Sequence, residues 1–204
     1  MPDLHDRAAM SAARDLIVAS ETPYGPIIQT IALEGAEHQF EIAHPLAMLW
    51  HCFKNFDAWR ALMVEKHRQR PSSPERPWSL VLYSDEVTPG AVLATQPTRK
   101  SQAIYYSFLE LGHVALAREE AWLCAMVHRS SSVAKADGGM AQVVGQILKL
   151  LFPAQGADLH LNGLMLYDEG GQGFRLHARL STFVQDGAAH KDIWRCKGDA
   201  GTRM

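Results

Sequence analysis

The sequence predicts an α/β fold on a mixed sheet, with the element order β-β-β-α-β-α from residue 78 onward. Three observations predict it. The run Ser79-Leu-Val-Leu-Tyr-Ser-Asp85-Glu86-Val-Thr-Pro-Gly90 is apolar at successive positions, as in a central strand covered on both faces, and ends on two acids and a turn. Two further β-rich runs, 102–110 and 121–129, follow before the period turns helical at Gly138-Gly139. Of the 204 residues, 47% are hydrophobic, enough for one core with an N-terminal accessory layer.

The elements follow in order. Residues 5–19 are alanine-rich with interspersed charges and predict a helix that ends before Glu21-Thr-Pro-Tyr-Gly-Pro26. Residues 27–33 and 39–43 flank Glu34-Gly-Ala-Glu and predict a hairpin. Pro45 suits a first helical position, and Leu46, Leu49, Trp50, Phe53, Phe56, Trp59, Leu62 and Met63 recur at three- and four-residue spacing. One helix over 45–63 is predicted. The prolines at 71, 74 and 77 make a stiff connector, 71–77, between accessory helices and hairpin in 1–70 and the sheet in 78–204.

Beyond the connector, strand 78–84 and the two runs named above precede a helix carrying Met140, Val143, Val144, Ile147, Leu148 and Leu151, closed by Pro153. Strands at 159–167 and 174–184 flank a glycine-rich turn, and Asp186 opens a polar segment that reads as a helix start. Three antiparallel strands, a crossover helix and a strand ending at an acid form the order of the ribonuclease H-like fold. There the first strand lies beside the strand after the helix. Strand 159–167 is then an insertion or hairpin partner.

Composition excludes several classes. A net charge of −2 gives no global basic footprint, so a nucleic-acid contact must come from a local patch. Cys52, Cys124 and Cys196 are far apart and in no C-x-x-C pair, which argues against a disulfide framework or zinc site and fits a reducing compartment. No run suits a signal peptide or a membrane span, so an intracellular location without membrane partners is expected. There is no phosphate loop and no Gly-x-Ser-x-Gly elbow, and Cys124 reads as a small buried hydrophobe.

The acids carry the remaining chemistry. If the first strand and the 174–184 strand are neighbours, Asp85 and Asp186 meet, and two carboxylates suit magnesium or manganese. Metal ions about 4 Å apart can activate water and stabilise the leaving oxygen of a phosphodiester. Glu86 falls on the opposite strand face from Asp85 and is a poor third ligand. Asp85 equally suits a cap on the Thr88-Pro-Gly turn, and Asp186 a helix N-cap. Lys100 and Lys191 lie near this pair in sequence and could contact phosphate, or could belong to solvated surface. The histidines are scattered over different elements and give no ligand set.

Two blocks carry a family resemblance. Leu80-Val-Leu-Tyr-Ser-Asp85-Glu86 followed by Arg99-Lys100 and a second strand is similar to the opening of transposase-like domains of mobile elements, of the D-D-E type in the ribonuclease H-like superfamily. Phe183-Val-Gln-Asp186 continuing to Cys196-Lys-Gly198-Asp-Ala-Gly201 resembles their second-acid block. The resemblance implies Asp85 and Asp186 as catalytic metal ligands for Mg2+ or Mn2+, once the site is completed. It also implies DNA as partner, with a homo-oligomer or the remainder of a larger protein as the open alternatives, and a nuclear location. The stretch that would carry the closing glutamate is not in this sequence, so the expectation is a truncated domain, inactive alone. The alternative is a non-enzymatic interaction module presenting Trp50 and Trp59 to a protein partner.

Overall fold

A computed structural model describes residues 11, 12, 15, 17, 20–88, 100–156, 158–168, 170–185 and 193. Two short antiparallel pairs come first, β1 (Glu21–Thr22) with β2 (Gly25–Pro26), and β3 (Ile28–Ile31) with β4 (Phe40–Ala43). Helices α1 (Pro45–Asn55) and α2 (Asp57–Gln69) lead to β5 (Trp78–Val87) and β6 (Ser101–Phe108). After them come α3 (His113–Leu116), β7 (Leu123–Arg129), α4 (Ser130–Val133) and α5 (Met140–Leu151). The described chain ends in β8 (Leu164–Tyr167), β9 (Gly173–Leu176) and β10 (Ala178–Val184).

The fold is mixed α/β. Its main sheet has the order β10-β5-β6-β7, with β10 parallel to β5 and the other neighbours antiparallel. β5 is central because both of its faces are apolar: Leu80 and Leu82 enter the main core on one side, and Val81 is buried on the other. Only from Asp85 onward does β5 become exposed. The strand therefore holds its acids at an open end while its middle is fixed by packing on both faces.

A bulge sets which side chains of β10 share a face with β5. Leu180 pairs with Leu80, but the register then shifts, so that Thr182 meets Val81, Phe183 meets Leu82 and Val184 meets Tyr83. Leu180 and Phe183, three apart, both pack against the core, while Thr182 and Val184 are exposed. Strict alternation could not place positions 180 and 183 on one face; the extra residue of a bulge does.

Three sequence expectations are corrected. The helix expected over 45–63 is two helices broken at Phe56, whose backbone is extended at φ −118° and ψ 102°. Arg60 Nη1 donates to the carbonyls of Phe53 and Lys54 at 3.2 and 2.7 Å, and Asn55 Nδ2 donates to the carbonyl of His51. Arg60 thereby satisfies the carbonyls of Phe53 and Lys54, whose partners in a continuing helix would be the amides of residues 57 and 58. The strand expected at 159–167 begins only at Leu164, because Asp158 Oδ1 accepts from the amides of His160 and Leu161, both at 2.7 Å, and closes a turn. The strand expected at 174–184 is two: β9 pairs with β8, and β10 joins the main sheet. His177 is the crossing point, its amide donating to Ser72 Oγ at 2.9 Å and its carbonyl accepting from Trp78 N at 2.8 Å.

The remaining elements pack around one apolar cluster. It includes Phe40, Trp50 and Phe53 from before the 71–77 connector, and Trp78, Leu82, Tyr106, Val143, Ile147 and Leu166 from after it. α5 contributes Met140, Val143, Val144, Ile147 and Leu151, the stripe its spacing predicted. Gly138 and Gly139 precede α5 at φ +78° and +52°, a left-handed turn that glycine adopts without a Cβ clash.

Candidate functional site

The end of β5 separates its two acids. Asp85 Oδ2 accepts from Tyr83 Oη at 3.0 Å, and its Oδ1 accepts from the Glu86 amide at 2.8 Å. Tyr83 and Asp85 are two apart on an extended strand and so share a face. Glu86 lies on the other face. Its Oε2 accepts from Lys100 Nζ at 2.6 Å and its Oε1 from Ser130 Oγ at 2.8 Å. Ser130 N also donates to the Lys100 carbonyl at 3.0 Å, so one carboxylate ties the end of β5, the entry to β6 and the start of α4 together.

This geometry decides what each acid can do. Glu86 neutralises Lys100 in a half-exposed ion pair and is turned away from Asp85. Asp85 is exposed, and each of its oxygens accepts one protein hydrogen bond, which leaves lone-pair capacity for a further partner. Its donor chemistry fits a hard, water-rich ion such as magnesium or manganese as one ligand of several. Among the described residues, no group of three His, Cys, Asp or Glu is arranged to hold a metal ion.

Of the residues assigned from sequence, Asp85 and Lys100 are described and are not brought together, since Lys100 pairs with Glu86. Asp186 and Lys191 lie outside the described residues. Sequence reasoning missed Tyr83, Ser130 and Trp122. Period-two alternation on β5 could have found Tyr83, because any residue two before Asp85 shares its face. Ser130 had no signal, since it comes to Glu86 through the pairing of β6 with β7 and the short helix that follows.

The face of β5 that carries Asp85 is aromatic. The rings of Tyr83 and Tyr105 stack with centroids 6.2 Å apart, and Trp122 lies tilted against Tyr83 at 6.0 Å. Trp122 is itself anchored by Nε1 donating to the Leu116 carbonyl at 3.0 Å. Burial raises the Tyr105 hydroxyl above its ordinary pKa, with smaller contributions from Cys124, Asp85 and Glu119.

Other chemistry-bearing groups are engaged structurally. Burial pushes the Cys52 thiol up to about 12 and also raises Cys124, whose Sγ faces the Met126 carbonyl at 3.6 Å, so both stay protonated and weakly nucleophilic. His67 Nε2 accepts from the Ser72 amide at 3.1 Å while its ring stacks on Phe174 at 3.9 Å. That lone pair is spent on backbone, so Ser72 lacks a free base despite its proximity. Trp50 and Trp59 are only 6% and 7% exposed and belong to the core, so α1 and α2 do not present them to a partner. An apolar groove of about 430 Å³ lies against β4 and β7, lined by Ile42, Met48, Cys124, Met126 and Val127, and Asp85 is not among its lining residues.

No helix among the described residues is long and apolar enough to cross a membrane. Comparisons of the chain with family models, with curated proteins and with solved structures give no match.

Proposed function

We propose that this chain carries elements of a transposase-like nuclease domain of ribonuclease H-like fold, in which Asp85 and Asp186 hold a magnesium or manganese ion. One observation carries the reading: the parallel register of β10 on β5 after its bulge, where Val184 meets Tyr83. Asp186 follows Val184 by two positions, and Asp85 follows Tyr83 by two. The proposed site requires this register to continue for two more residues, which would set the two acids side by side at one end of the sheet. The strand order β10-β5-β6-β7, with only β10 parallel to β5, supports this reading, with the β8-β9 hairpin as an insertion before β10.

In this reading a bound ion supplies the charge that activates water and stabilises the leaving oxygen of a phosphodiester. The chain's own part is to hold carboxylate oxygens still at the strand end, which the packed middle of β5 does. Lys100 and Lys191 are the cations assigned to DNA phosphate. For Lys100 this means leaving a half-exposed pair with Glu86, at a cost of about 1 kcal/mol or less. Two carboxylates alone make a weak, water-rich site, and no DNA cleavage is expected from this chain by itself.

Calorimetric titration of Mn2+ into the chain and its Asp85→Asn and Asp186→Asn variants tests the proposal. Binding in the parent that each substitution abolishes supports it. Binding that survives both substitutions, or no binding in the parent, sinks it.

A further inference from the structure

We infer that Tyr83 is a positioning residue for Asp85, its hydroxyl holding the carboxylate in the orientation that presents it to an ion. The consequence for ion binding rests on the function proposed above, whereas the positioning itself rests on the described geometry alone.

The argument runs from the outside inward. Trp122 is fixed by its indole hydrogen bond to Leu116, and its ring meets Tyr83 at 6.0 Å. Tyr105, on the neighbouring strand and directly opposite Tyr83 in the ladder, stacks on the Tyr83 ring at 6.2 Å. Held by these two rings and by its backbone in the middle of the sheet, Tyr83 has little freedom to swing. Its Oη therefore donates to Asp85 Oδ2 from a defined point, at 3.0 Å. The Glu86 amide fixes the other oxygen at 2.8 Å.

An exposed aspartate at a strand end would otherwise sample several rotamers, each lost on binding. Two hydrogen bonds from rigid donors remove most of that freedom beforehand, while both oxygens keep a lone pair for the ion. Hydrogen-bond donors behind a ligating carboxylate commonly matter ten- to a hundred-fold in metal affinity. The same reasoning gives a meaning to the Tyr-x-Asp spacing in the sequence: the period of a strand puts the phenol and the carboxylate on one face, within reach of each other.

Tyr83→Phe removes the hydroxyl and keeps the ring contacts with Tyr105 and Trp122, so a role confined to packing predicts no change. The expected results are rotamer averaging at Asp85, read from side-chain NMR couplings in metal-free protein, and Mn2+ binding about ten-fold weaker, with the thermal midpoint retained. Couplings and Mn2+ affinity both unchanged overturn the inference. Should the parent chain bind no Mn2+, the proposed function is what fails, and the couplings alone decide: averaging upholds the positioning role, unchanged couplings overturn it. If Tyr83→Phe does not fold, 3-fluorotyrosine labelling with Asp85→Asn replaces it. A fluorine shift at position 83 on losing the carboxylate upholds the contact, and none overturns it.

Discussion

Glu86 accepts the ammonium of Lys100 at 2.6 Å on the face of β5 away from Asp85, so two acids adjacent in sequence serve two different partners. The pair is half-exposed, and such pairs contribute little. Glu86→Gln and Lys100→Met should each lower stability by about 1 kcal/mol or less in urea unfolding, and neither should change the Tyr83 to Asp85 contact. A loss of several kcal/mol would show that Glu86 anchors far more than Lys100 and Ser130.

The break at Phe56 yields a sharper contrast between two arginines. Arg60 is mostly buried and closes the last carbonyls of α1, whereas Arg68 makes an exposed pair with Glu65 one turn away on α2. Arg60→Ala should cost about 1–2 kcal/mol, and Arg68→Ala less than about 0.5 kcal/mol. Equal losses in chemical unfolding would contradict the capping role.

Phe53, with no exposed surface, joins α1 to the ring of Phe174 at 5.6 Å and to the core that β5 fills from the other side. Phe53→Ala should cost about 3–5 kcal/mol through lost transfer and an unfilled cavity. A chain whose 1–70 segment packs only loosely on the sheet would lose far less, and the unfolding curve would split in two.

Acid sensitivity follows from His44. Burial lowers its pKa from the ordinary 6.5, and its Nδ1 caps α1 by accepting from the Ala47 amide at 3.4 Å. His67 is lowered too, by burial and then by the nearby His177. On acidification the unfolded chain takes up these protons first. The stability of the neutral forms is therefore present above about pH 6.5 and is lost as pH falls toward the lower folded values. Urea midpoints should drop between pH 7 and 5, and drop less in His44→Asn, which caps without titrating. Equal drops in both proteins would assign the loss elsewhere.

Much of the sheet was legible because its strands are apolar runs bounded by turn residues. β5 starts where residues 78–84 predicted and runs on to Val87, while β6 and β7 lie where 102–110 and 121–129 predicted, trimmed by short turns at Leu109–Leu111 and Glu119–Ala121. The helix break was not legible, because Phe56, Trp59 and Met63 continue the helical spacing straight through it. What ends α1 is a guanidinium six and seven residues ahead, a contact that no periodicity encodes. In 159–163 alternating Leu159 and Leu161 imitate a strand, yet a single aspartate side chain captures the amides. The split at His177 depends on Ser72, over a hundred residues away.

At the candidate site, sequence placed Asp85 and set Glu86 on the opposite face, which alternation alone can do. The tie from Glu86 to Ser130 and the clamp on Tyr83 required the tertiary fold. So did the bulge between Leu180 and Thr182, which sets Val184 opposite Tyr83.

The most direct measurement of the central claim is Mn2+-induced line broadening of backbone amides at the ends of β5 and β10 in one NMR titration. The account predicts that Glu86 and Gln185 broaden together at the same Mn2+ concentration, because one ion bridges both strand ends. Broadening at only one of them, or at neither, would contradict it.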